Sequence, residues 1–259
     1  MRLKTFIRGA LVGALGLCAT AGVASAATFA DTYIGGDPTG SGFIGADVIG
    51  DSNFQTHSMD VQRINNTLRV VINTNYSDKP ASTVLGYLGT NIGSLFIGDT
   101  ANLNITDQNT DDYVSDKDRF SWVFDFDTNP VAGVQGQGGS GSLYAIDDSK
   151  VVLSHASGIF RANQAVGYNQ GAQATLASGR WQVGVGTVTF TIQDFFTSVA
   201  VPSSLTLAWA MSCANDVILA QVPLSSIPNV PLPAGGLLLL TGLLGVGFLG
   251  RLKTKKAAA

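Results

Sequence analysis

Chemistry in this 259-residue chain would have to be done largely by aspartate. All 18 acidic side chains are Asp, there is no Glu, and His57 and His155 are the only imidazole bases. The densest polar cluster is DTANLNITDQNTDDYVSDKDR, residues 99–119. Within it Asp107, Asp111, Asp112 and Asp116 are the Ca²⁺ ligand candidates, because a hard cation takes about six to eight oxygens and clustered carboxylates and Asn carbonyls supply them. The spacing spells no EF-hand, lacking Gly at the sixth loop position and Glu at the twelfth. A solvated loop with no metal or cofactor is the favoured reading, and a Ca²⁺ site is its alternative.

Hydrolysis needs an activated nucleophile or two carboxyls held near one another. His57 lies in Thr56-His57-Ser58-Met59 and His155 follows Val151-Val152-Leu153-Ser154. Neither fits a nucleophile elbow or a metal-ligand spacing, so no catalytic residue is assigned and the chain reads as non-enzymatic. A glycan hydrolase or lyase built from paired Asp is the weakest alternative. Tyr113, Trp122, Tyr144 and Trp181 could line a sugar-binding face of a lectin-like module, although such residues in strands are more often core.

The elements that must position these residues read as strands. Met59, Val61 and Ile64 approach Asn65-Asn66, and Leu68, Val70 and Ile72 leave it in alternation, which predicts a β-hairpin with one buried face. Further strands are predicted at 28–34, 95–97, 119–126, 142–146, 151–154, 180–183, 187–192, 205–211 and 217–222, with a short helix around 192–198. Asp125 and Asp127 alternate with Phe124 and Phe126 and are expected on the solvent face. An all-Asp acidic complement with 31 Gly favours turns over helices. The expected fold is all-β, an antiparallel sandwich or jelly-roll-like body over 27–222, with 223–229 as a linker.

The two ends differ from this body. Arg2, Lys4 and Arg8 precede an apolar stretch and then Ala24-Ser25-Ala26, the order of a secretory signal peptide over 1–26, cut after Ala26. At the other end Ala234–Gly250 is 17 residues without a charge, about 25 Å as a helix, followed by Arg251, Lys253, Lys255 and Lys256. That is a transmembrane helix with its basic tail on the cytoplasmic side. Pro231 and Pro233 fix an extended, protease-accessible entry to it.

Val230-Pro231-Leu232-Pro233-Ala234, the Leu/Gly-rich span and the basic tail together resemble the VPLPA variant of the PEP-CTERM sorting signal of Gram-negative bacteria. The resemblance implies recognition of residues 230–259 by an exosortase, a membrane-embedded protease or transpeptidase. It also implies transient anchoring in the inner membrane and release or transfer to the cell surface or extracellular matrix. Short stretches of the body, DTYIGG (31–36), DVIGD (47–51), SMDV (58–61), LRVVINTNY (68–76), GSLFIGD (93–99) and WAMSCANDVI (209–218), resemble an uncharacterised domain of such exported proteins. Gly-Asp-Leu-Phe is expected where this chain has Gly93-Ser94-Leu95-Phe96, and Cys-Gly-Asn-Asp where it has Cys213-Ala214-Asn215-Asp216.

Residues 27–229 carry all 18 Asp against eight Lys and Arg, a formal charge of −10. Such a surface disfavours nucleic acid and stable lodging on an anionic membrane surface. Signal peptidase is the partner expected from the leader, an exosortase-like enzyme is the one the resemblance implies, and extracellular polysaccharide belongs to the lectin-like alternative. Once Cys18 leaves with the signal peptide, Cys213 has no intramolecular partner and reads as a buried small hydrophobe.

Overall fold

The Asn65-Asn66 hairpin forms where the alternation placed it. Strands β2 (Thr56–Ile64) and β3 (Thr67–Thr74) pair from Ile64↔Thr67 outward, with Asn65 at φ +54°, a left-handed conformation Asn tolerates well. Met59, Val61, Leu68, Val70 and Ile72 are fully buried. This computed structural model describes residues 26–36, 45–50, 52–78, 90–128, 133–155 and 161–229. The expected signal peptide up to Ser25, the VPLPA motif and the 234–250 span lie outside them. Among the described residues no helix is long and apolar enough to cross a membrane.

The remaining strands are β1 (Ala27–Ala30), β4 (Leu95–Asp99), β5 (Trp122–Phe126), β6 (Gly138–Ala145), β7 (Val151–Leu153), β8 (Ala165–Tyr168), β9 (Ala177–Gly184), β10 (Thr187–Ile192), β11 (Ser204–Ala210) and β12 (Val217–Pro223). Ten of the twelve strands make one antiparallel sheet in the order β1-β2-β3-β10-β9-β6-β5-β4-β11-β12, and β7 pairs with β8 in a separate ribbon. All-β antiparallel architecture is thus observed, but as one long sheet instead of the two facing sheets of a sandwich. The sheet curls until β1 and β2 lie against β12, nearly closing a barrel. A parallel bridge between Arg63 and Asn229 adds to that seam.

Two cores explain the burial patterns. The inside of the roll is filled by residues such as Val70, Phe124, Phe190, Leu207, Trp209 and Ile218. Outside, Phe96, Tyr113, Phe120, Tyr144, Tyr168 and Leu219 form a second layer, where residues 100–121 and the β7–β8 ribbon cover the outer face of β4, β5, β11 and β12. Strands covered on both faces lose their alternation, as β11 does, with Leu205 to Ala210 all buried. Uncovered β9 keeps it, exposing Ser178, Arg180 and Gln182. Gly98 of β4 is where the cover comes closest, because a Cβ there would collide with the backbone carbonyl of Arg119.

Two local expectations are corrected. Asp125 is 1 % exposed instead of solvent-facing, because β8 packs on that side of β5. The Ser94 hydroxyl donates to its Oδ1 at 2.6 Å. Residues 223–229 are docked instead of forming a free linker: Leu224–Ser226 is a 3-10 turn and Ile227 enters the inner core. Ile227 is an apolar side chain that gains by leaving water.

Candidate functional site

The four Ca²⁺ candidates of the polar loop are each engaged by protein donors. Asp107 caps its own turn, accepting from the backbone N–H of Asn109 at 2.9 Å. Asp111 takes a two-pronged pair from Arg119, Nη1 to Oδ2 and Nη2 to Oδ1, both 2.8 Å, and accepts from the Tyr33 hydroxyl. Asp112 Oδ1 accepts from Ser115 N–H at 2.6 Å, and Asp116 Oδ2 from Asn104 N–H at 3.0 Å. Burial opposes the charge on Arg119, but Asp111 outweighs it and holds the guanidinium above its ordinary range. Burial and then the Asp111 charge push the Tyr33 phenol upward. Asp107, Asp112 and Asp116 brace the loop internally, Asp111 ties it to Tyr33, and the four do not converge on a common point.

The other nominated residues also take up structural places. His57 is exposed with Nε2 3.0 Å from Asn75 Oδ1, and His155 is exposed. Tyr113, Tyr144 and Trp181 are buried, and Trp122 packs edge-on against Phe195, so the four form no exposed platform.

Among the described residues, Asp31, Asp47 and Asp216 are the one convergent group of possible metal ligands, with an oxygen of each within 4.8 Å of the others. Asp31 directly follows β1 and is tied by its N–H to the His57 carbonyl at 3.0 Å. Asp216 precedes β12, and its Oδ2 accepts the Thr56 N–H at 2.5 Å. Asp47 sits on the loop carrying Ile49, whose N–H donates to the Asn215 carbonyl at 2.7 Å. Arg161 holds the three segments together: its guanidinium, fully buried, donates to the carbonyls of Gly35, Ala46, Asp47 and Ala214. Ala214 is at φ +49°, a conformation Gly adopts without strain, which accounts physically for the Gly expected there from the body resemblance.

The cluster is short of donors. Asp31 Oδ2, Asp216 Oδ1, Asn215 Oδ1 and Thr56 Oγ1 are all buried without a hydrogen-bond partner, whereas buried polar groups are ordinarily satisfied. Burial, then the charges of Asp216 and Asp47, pushes Asp31 up to about 9. Burial likewise pushes Asp216 up to about 7, with the Thr56 N–H opposing and Asp47 adding. Such an all-oxygen donor set is of the kind hard cations take. Spacing in the sequence gave no sign of this group, since 31, 47 and 216 are far apart; the sign was that each lies in one of the short body stretches quoted above. Arg161 carried no sequence signal.

Cavities lie elsewhere among the described residues. A shallow groove of about 660 Å³ lies outside β6, β9 and β10, lined by Ser140, Arg180, Gln182, Thr189 and Thr191 among others. A pocket of about 180 Å³ lies beside Ser94, Asp125 and Tyr168, and a third of about 10 Å³ lies under Phe120. None is lined by Asp31, Asp47 or Asp216. The chain matches no family model, no curated protein and no solved structure.

Proposed function

We propose that this chain is an exported, non-enzymatic component of the cell surface or extracellular matrix of a Gram-negative bacterium. Signal peptidase cuts after Ala26, the 234–250 helix anchors the chain transiently in the inner membrane, and an exosortase-like enzyme acts at Val230–Ala234. The observation that carries this reading is where the folded body lies relative to the two expected cuts. Among the described residues, strand β1 begins at Ala27, and Ile227 and Asn229 are docked at the other end. Neither expected cut removes any of the described core. The non-enzymatic part of the reading rests on the sequence, in which neither His57 nor His155 fits a nucleophile elbow or a metal-ligand spacing.

The test is the intact mass of the protein purified from its native host's surface and medium. The expected chain starts at Ala27 and ends within 230–234, with any added mass identifying an attached group. Recovery with residues 235–259 still present would mean a permanent anchor and would overturn the sorting reading.

A further inference from the structure

We infer that Asp31, Asp47 and Asp216, with Asn215 Oδ1 and Thr56 Oγ1, form a Ca²⁺ site that pins four distant segments of the chain together. The inference stands on the geometry of the body and does not depend on how the chain is exported. The spacing permits one shared ion: two oxygens each about 2.4 Å from a Ca²⁺ are at most about 4.8 Å apart, and those of the three Asp lie within 4.8 Å of one another. The second observation is independent of the carboxylates. Thr56 is fully buried and Asn215 is 3 % exposed, yet the hydroxyl of one and the side-chain carbonyl of the other have no hydrogen-bond partner. Thr56 grips Asp216 through its own N–H, and Asn215 is its chain neighbour, so both oxygens belong to the same corner of the fold.

Charge and chemistry select the ion. Every donor is oxygen, with no imidazole or thiolate, which excludes the preferences of Zn²⁺ and Cu⁺ and favours a hard cation. Ionised, as ligands must be, the three carboxylates sum to −3, and Arg161, the cation that acts on both Asp31 and Asp216, offsets one charge. A divalent ion offsets the other two. Ca²⁺ tolerates an irregular shell at longer distances, whereas Mg²⁺ demands near-ideal octahedral geometry and keeps its waters, which a half-buried corner built from three loops does not provide. The role is structural: the ion ties the exit of β1 and the 45–50 loop to the turn before β12 and the start of β2. Binding only the folded state, it stabilises the body in proportion to the free ion concentration.

The experiment uses the full-length chain in mild detergent, stripped with EDTA and titrated with CaCl₂ by calorimetry and thermal unfolding. The expected result is one Ca²⁺ per chain, Kd on the order of 10⁻⁴ M or tighter, and a Tm rise of about 5 to 10 °C at hundredfold excess over Kd. Asp47 is exposed, so Asp47→Asn should fold normally and bind Ca²⁺ at least about tenfold more weakly. Asp107→Asn should bind as the parent does. Three results overturn the inference: no heat and no Tm rise at about 10 mM Ca²⁺, an equal Tm rise with Mg²⁺ at the same concentration, or full affinity retained in Asp47→Asn.

Discussion

Replacing Arg119 with Met tests whether the polar loop is held by a buried ion pair. The Arg119 side chain is 2 % exposed and that of Asp111 4 %. The substitution keeps the apolar stem and removes both 2.8 Å bonds to Asp111, together with the 2.9 Å bond from Nε to the Asp116 carbonyl. Asp111 then stays buried with the Tyr33 hydroxyl as its remaining side-chain donor. Breaking a buried pair by deleting one partner costs about 3 to 5 kcal/mol, because the stranded charge has lost its water as well as its partner. At about 2 to 4 °C per kcal/mol for a domain this long, Tm should fall by about 6 to 20 °C. Thermal unfolding followed by near-ultraviolet circular dichroism reads this directly, since Tyr113 and Phe120 stack beside the pair. The double variant Arg119→Met with Asp111→Asn should recover most of the loss, because replacing both charges removes the stranded one. A single variant within about 1 kcal/mol of the parent, or a double variant no better than the single, would refute the argument.

Metal-free protein should lose stability as pH rises from about 5 to 9. Asp31 and Asp216, facing each other, Asp47 and Arg161, have folded pKa values of about 9 and about 7, above the ordinary 3.8. The folded state therefore holds protons that the unfolded chain has released, so stability is highest at the acidic end and drains away through those values. Asp147, lowered by its bonds to Ser149, acts below that window. Tm in EDTA across the range is the measurement, and a flat or rising profile would contradict the burial of the pair. Cys213 is 4 % exposed and its thiol is pushed up to about 11 by burial. It should resist a disulfide-exchange reagent in the native chain and react fully in urea, so rapid native labelling would place it at the surface.

Legibility followed how local each feature's physics is. The hairpin at 56–74 was readable because one strict alternation and one Asn-Asn turn specify it without help from the rest of the chain. Strand β10 was read to the residue, since Thr187–Ile192 alternates against a single core. Strand β8 was missed because four residues interrupted by Gly167 carry too little signal. Asp125 was misread because alternation reports only the inner face, and the cover on its outer face comes from residues 40 positions away. The 107–116 carboxylates attracted attention by density in sequence, yet their partners are donors on the same loop and on Arg119. Asp31, Asp47 and Asp216 meet through tertiary contacts, among them the Arg161 guanidinium that gathers three loops, and no spacing rule anticipates these.

The seam where β1 and β2 meet β12 also sets the order in which the body can be made. Strand β3 must wait for β10, β4 for β11, and the roll for the Arg63–Asn229 bridge at its far end. Pairings this distant in sequence carry loop-closure entropy before they return stabilisation, which slows folding to the millisecond-to-second range of non-local β proteins. A chain folding from its N-terminus thus exposes unpaired strand edges until nearly the whole body is available to pair, and exposed edges are where one chain can pair with another.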